Sequence, residues 1–153
     1  MEYRHTQKGK VLGAAIGIAV VLLFISIWLS GSLQSIQTII LLILLAGWGL
    51  FYSLTVEIKD GILKCHFGMG VLQKQIHLSE VQEVRNVRNP WYMGWGIRWL
   101  PGRYWMWNVS GFQAVELVFR SGRRFRIGTD EPSALVQAIL EGKQLTPSSV
   151  MGH

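Results

Sequence analysis

The chain has 153 residues, half of them hydrophobic, only 16% charged, with a formal net charge of +6. Soluble domains carry about 25% charged residues, and here residues 11–56 hold no Asp, Glu, Lys or Arg at all. That gap argues against a water-soluble globule and for a membrane protein, leaving the roughly 100 residues after Leu54 for one small domain with its own core.

In chain order, residues 1–10 read as a cytoplasmic N-terminal tail bearing Arg4, Lys8 and Lys10. Two apolar runs follow, at 11–30 and 36–54, each expected to cross the bilayer, since about 20 helical residues span roughly 30 Å of hydrocarbon. The short polar link at 31–35 makes them an antiparallel transmembrane hairpin. Trp28, Trp48 and Tyr52 near the ends of the runs suit interfacial anchors. Basic residues flank both outer ends (Lys59 and Lys64 on the far side) and the link has none, so the positive-inside rule puts both termini in the cytoplasm. The first run is too long for the apolar core of a signal peptide, and no A-x-A site follows it. Gly13 and Gly17 form a G-x-x-x-G among Ala14, Ala15 and Ala19, a candidate helix–helix contact within the hairpin or between protomers. The plainer alternative is that small residues are common in membrane helices. Cys65 is the single cysteine, which excludes an internal disulfide and agrees with a reducing compartment.

Beyond the hairpin the pattern changes to short strands with turn punctuation. Strands are expected at 55–58 and 62–67 around an Asp60-Gly61 turn, then at 71–78, through Val81, Val84 and Val87, once within 89–108, and at 113–119 and 124–127. In the last hairpin a three-residue loop, Arg120-Ser121-Gly122 with Gly122 left-handed, pairs Leu117 with Phe125 and Val115 with Ile127. The same register sets Arg126 opposite Glu116 on the outer face. Thr129-Asp130-Glu131-Pro132 opens a helix. Its apolar face carries Leu135, Val136, Ile139 and Leu140, and Gly142 ends it. Residues 143–153 read as a disordered tail.

Seven strands followed by one amphipathic helix is the order of a pleckstrin-homology-like (PH-like) barrel. Asn89-Pro90-Trp91-Tyr92, Gly94-Trp95-Gly96-Ile97-Arg98, Asn108-Val109-Ser110-Gly111 and Ile127-Gly128-Thr129-Asp130-Glu131-Pro132 carry a further likeness. Over residues 54–140 the chain resembles small bacterial membrane proteins that have a bacterial PH-like domain. The resemblance implies a two-helix membrane hairpin at 11–54 and a mainly-β barrel of about seven strands with a C-terminal helix at 55–142. It also implies a multi-pass protein of the cell (inner) membrane. It hands over no catalytic residues.

The least ordinary stretch is 89–108, with Trp91, Tyr92, Trp95, Trp99, Tyr104, Trp105 and Trp107 interleaved with Arg98 and Arg103. Together with Arg124 and Arg126 these form a candidate lipid or partner surface. Three readings fit: a patch in the headgroup layer, a groove for a partner, or the core of a small barrel. Residues 55–153 hold 12 Lys and Arg against 8 Asp and Glu, a net of +4. Near anionic lipid each basic side chain adds roughly 1 kcal/mol of attraction. The tight Lys59-Asp60-Gly61 turn lacks the basic cluster with which PH domains read phosphoinositides. A single-stranded nucleic acid platform fits poorly with a tethered domain of such modest charge.

For chemistry the sequence offers little. Cys65 and His66 are adjacent on a strand and point to opposite faces, and His77 lies on the next strand. There is no C-x-x-C, H-x-x-x-H, G-x-S-x-G or phosphate loop. No catalytic, metal or cofactor residue is therefore expected. The functional expectation is a non-enzymatic, membrane-anchored binding module at the cytoplasmic surface, engaging anionic lipid or a protein partner. The alternatives are a structural subunit of a homo-oligomer or larger membrane complex and, more weakly, a hydrolase using Cys65 or His77.

Overall fold

The computed structural model describes residues 2–32 and 35–145. Strand β1 (Tyr3–Lys8) leads through Gly9 into α1 (Lys10–Ser30), and α2 (Ser35–Phe51) leads through Tyr52 into β2 (Ser53–Lys59). β1 and β2 are antiparallel neighbours, with Lys8 opposite Ser53, so one ladder runs directly into both helices. The expected N-terminal tail is thus a strand. Its alternation is masked because the inward residues are Tyr3, His5 and Gln7 rather than aliphatic ones. A Thr6–Thr55 hydroxyl bond of 2.9 Å and a His5–Asp130 bond of 2.6 Å hold it in place.

α1 has 21 residues, with a mean hydropathy of 2.7 over an 18-residue window, long and apolar enough by length and composition to cross a membrane. α2 is apolar but shorter, 17 residues, about 25 Å at 1.5 Å per residue. The second apolar run stops being helical at Phe51, because Ser53 and Leu54 are drawn into β2, where Leu54 pairs with Phe67 and enters the core. Between the helices Gln37 is buried and its Nε2 donates to Ser26 Oγ at 3.2 Å.

The chain continues through β3 (Ile62–Phe67), β4 (Leu72–His77), β5 (Val81–Arg88), β6 (Gly96–Leu100), β7 (Tyr104–Asn108), β8 (Gln113–Phe119), β9 (Arg124–Gly128) and α3 (Pro132–Leu145). Nine strands among the described residues replace the expected seven. One of the extra strands is β1. The other arises because 89–108 holds a hairpin, β6–β7, in place of a single strand. The strands form two sheets, ordered β1-β2-β3-β4 and β5-β8-β9-β7-β6. All pairings are antiparallel except β7 with β9, since the β8–β9 hairpin inserts between β5 and β7. Asp60 and Gly61 both take positive φ in the β2–β3 turn. The three-residue β8–β9 loop has the expected register, Leu117 with Phe125, Glu116 with Arg126 and Val115 with Ile127, with Gly122 at φ 80°.

The sheets face each other across a core that includes Val56, Leu63, Phe67, Ile76, Val115, Leu117, Phe125 and Ile127. α3 closes this core with Leu135, Ala138 and Ile139, while Leu140, expected on the same face, is exposed. Gly142 does not end the helix, which continues through Lys143 to Leu145. A Cβ at Gly142 would lie 2.7 Å from Leu78 Cδ1 and 3.1 Å from Ile58 Cγ2, so glycine is there to let α3 approach the sheet. The first three residues of the expected disordered tail, 143–145, are thus helical, and residues 146–153 lie outside those described. Thr129 Oγ1 accepts from the Glu131 amide at 3.1 Å at the helix start. Asp130 and Glu131 precede the first turn and clasp His5 of β1, at 2.6 and 3.3 Å.

Candidate functional site

The β6–β7 hairpin sets Trp99 opposite Trp105 on one face, and their rings stack with centroids 5.9 Å apart and planes 28° apart. One step along the same face, Ile97 pairs with Trp107. Trp107 is only 8% exposed, packed against Phe67 at 5.0 Å and Phe125 at 5.8 Å. Trp105 remains 46% exposed and Trp99 61%. The sandwich closes over one tryptophan and opens beside the other two.

The opening is a cleft of about 420 Å³ between the β6–β7 and β8–β9 turns, lined by Trp99, Arg103, Trp105, Arg123 and Arg124 among others. It continues into a hollow of about 250 Å³ between the sheets, where Lys74 joins Trp105, Arg123 and Arg124. Lys74 alternates inward with Leu72 and Ile76, and its Nζ sits 4.8 Å from the Phe125 ring centre. Arg123 lies 5.9 Å from the Phe119 ring. Among the described residues, none of Lys74, Arg103, Arg123 and Arg124 is in an ion pair with a carboxylate; Glu80 lines the same hollow, and the Arg124 charge is felt by Glu83. An aromatic shelf beside unpaired guanidinium groups suits a carboxylate-bearing ligand, because the guanidinium fork matches a carboxylate in two hydrogen bonds.

The cleft opens at the end of the sandwich away from the helices. At the helix end Gly9 N donates to Tyr52 O and Gly68 N donates to Ser53 O. Gln7 Nε2 reaches Ser110 O there, in the β7–β8 loop. From that loop β8 runs the other way for seven residues to the Arg120 turn, roughly 20 Å at 3.3 Å per residue.

The residues expected to form one surface are therefore divided. Trp99, Arg103, Trp105 and Arg124 line the cleft, and Lys74 and Arg123 belong with them. Trp91 and Tyr92 lie on a 3₁₀ turn after β5, exposed at 79% and 70%, edge to face at 6.1 Å. Trp91 shares a shallow hollow with Arg88 and Phe112 near the helices. Trp95 is half-buried against Phe112 at 6.5 Å. Arg98 is exposed on β6, opposite Met106.

Arg126 and Tyr104 lie on the outer face of the sheet, opposite the core residues Phe125, Ile127 and Trp107, but are covered there. Arg126 Nε donates to Glu116 at 2.7 Å, a further guanidinium nitrogen donates to Asn89 Oδ1 at 3.2 Å, and the guanidinium carbon sits 3.6 Å from the centre of the Tyr104 ring. Buried Asn89 from the β5–β6 connection closes over the pair. The expected cross-strand pair exists, but this cover takes it off the surface: the Glu116 side chain is 3% exposed.

Gly13 faces Trp48 of α2, with a Cβ there 3.6 Å from Trp48 Nε1, while nothing lies within 4 Å of one at Gly17. Cys65 is fully buried, and its thiol donates to Lys74 O at 3.6 Å. Burial pushes that thiol up to about 12, so it is protonated at neutral pH and packs as an apolar side chain. Among the described residues no cluster of three or more His, Cys, Asp and Glu side chains is placed to hold a metal ion.

Sequence reasoning missed Lys74 and Arg88. The alternation of Leu72, Lys74 and Ile76 was the available signal for the first. The second depends on where β5 ends relative to the helices, which composition does not carry. The chain matches no family model, no curated protein and no solved structure.

Proposed function

We propose that the chain is a non-enzymatic, membrane-anchored binding module whose distal cleft engages an acidic segment of a protein partner. In this reading α1 and α2 cross the cell membrane as a hairpin with both termini cytoplasmic, and the β-sandwich stands directly on it. Two observations support the anchor: both helices expose apolar outer faces, including Leu22, Phe24, Ile39 and Ile43, and both continue into neighbouring strands without a linker. Two sheets closed by a C-terminal helix support the PH-like likeness, although the parallel β7–β9 pair departs from a simple meander.

The observation that carries the partner reading is the stacked Trp99–Trp105 pair beside the unpaired Arg103, Arg123 and Arg124, at the end remote from the helices. Exposed aromatic and arginine side chains in one concavity are the usual anchors of a protein-binding hot spot. Its distance from the helices favours a protein partner over the module's own bilayer.

A photoreactive aromatic residue at position 99 of the full-length protein, irradiated in its native membrane, tests this. Cross-linking to a protein is expected, with loss of that adduct when Arg123→Glu and Arg124→Glu are combined. Adducts with lipid alone, or a protein adduct indifferent to charge reversal, would count against it.

A further inference from the structure

A second concavity lies at the opposite end of the sandwich. It measures about 450 Å³ and is lined by Lys8, Lys10, Arg88, Gln7, Ser110 and Asp130 among others. Lys8 ends β1, Lys10 begins α1 and Arg88 ends β5. Two distant parts of the chain, the β1–α1 junction and the end of β5, thus deliver cations to the point where α1 starts. Among the described residues none of the three is paired with a carboxylate. The one acid lining the pocket, Asp130, is already bonded to His5 at 2.6 Å. The start of α1 adds to the positive field, for it has no side-chain cap and no acid in its first turn.

Gln7 supplies an independent sign of a ligand. It is 6% exposed, its Nε2 donates to Ser110 O at 3.0 Å, and its Oε1 is buried without a hydrogen-bond partner. A buried acceptor left unpaired is costly, and Gln7 lines the pocket, so a donor from a bound molecule has a place here. Phe112 lines the same pocket and, with Trp91, the adjoining hollow.

We propose that this pocket binds the headgroup of an anionic glycerophospholipid with free hydroxyls. Its phosphate sits among Lys8, Lys10 and Arg88, and a headgroup hydroxyl donates to Gln7 Oε1. Position fits chemistry: Lys10 is the last charged residue before the apolar run, which is the level of lipid phosphates if α1 crosses the bilayer. A zwitterionic headgroup would bring its ammonium against three cations, so phosphatidylethanolamine and phosphatidylcholine are disfavoured. The site rests on the membrane-span reading of α1 and is independent of the distal cleft.

The experiment uses the full-length protein, reconstituted with equal parts phosphatidylglycerol, phosphatidylethanolamine and phosphatidylcholine, then released in mild detergent for native mass spectrometry. One retained phosphatidylglycerol per chain is expected. Each of Lys8→Gln, Lys10→Gln and Arg88→Gln should lower retention about fivefold; in a parallel reconstitution with phosphatidic acid in place of phosphatidylcholine, Gln7→Leu should reduce the preference for phosphatidylglycerol over phosphatidic acid. Arg123→Gln with Arg124→Gln should leave retention unchanged. Equal retention of the three lipids, or retention indifferent to Arg88→Gln, would overturn the proposal. So would displacement of the lipid by inorganic phosphate alone, which would reassign the pocket to a free anion. Carbonate extraction of the same membranes separates the two layers: a chain released by carbonate would refute the anchor itself.

Discussion

β7 and β9 each carry one residue type twice, two positions apart, and the two copies meet opposite fates. On β7, Trp107 is enclosed by Phe67 and Phe125 whereas Trp105 stays nearly half exposed. On β9, Arg126 is locked between Glu116, Asn89 and Tyr104, whereas Arg124 lines an open cleft. Residues two apart on a strand share a face, so neither identity nor orientation separates the copies. What separates them is the cover: Phe67 of the other sheet lies over Trp107, and Asn89 lies over the Arg126 pair. The inner copy of each pair builds the fold, and the outer copy is left for binding.

Substitution should expose that division at once. Arg126→Ala strands a buried Glu116 carboxylate and should cost about 3–5 kcal/mol. Trp107→Ala opens a cavity worth a similar 3–5 kcal/mol. Arg124→Ala should fall within about 0.5 kcal/mol and Trp105→Ala near 1 kcal/mol. Denaturant unfolding of the detergent-solubilised protein reads all four, and equal costs within either pair would erase the comparison.

Gly142→Ala comes next, at about 1–3 kcal/mol from overpacking against Leu78 and Ile58. An unchanged melting temperature would mean that α3 sits further from the sheet. Smaller still is an alkaline effect. The Cys65 thiol is raised by burial from 9.0 to about 12, and the Tyr3 hydroxyl, also mainly by burial, from 10.0 to about 12. For both groups the neutral form is favoured in the folded state, so this stability is present below the unfolded value and fades as pH rises toward 12. Cys65 should act first, above pH 9, and Tyr3 above pH 10. Cys65→Val should therefore flatten the fall in stability between pH 9 and 10 and make the later fall shallower, leaving there only the part due to Tyr3, as melting in a pH series would show.

Much of this architecture can be read without coordinates where a local rule acts alone. The apolar runs, the Asp60-Gly61 turn, the Gly122 loop register and the Pro132 helix start all follow from turn chemistry and periodicity. β1 escapes because an edge strand with Tyr3, His5 and Gln7 facing inward shows no hydrophobic alternation, and its pairing partner is more than forty residues away. The β6–β7 hairpin escapes because aromatic residues occupy both of its faces, so period-2 alternation vanishes where Trp99, Tyr104, Trp105, Met106 and Trp107 follow closely. The aromatic stretch is conspicuous in the sequence, but its division into core, cleft and helix-side rim depends on which segment lies opposite each residue. That is a property of the two sheets together, and it decides the candidate site.

The most direct test of the account measures how deep two exposed tryptophans lie. Variants in which either Trp91 or Trp99 is the sole tryptophan outside the core and helices would be reconstituted in liposomes whose lipids carry a quencher at the headgroup. Strong quenching is expected of Trp91, on the helix-side rim, and little of Trp99, in the distal cleft. Equal quenching of both would mean that the cleft lies on the bilayer, contradicting its assignment to a protein partner.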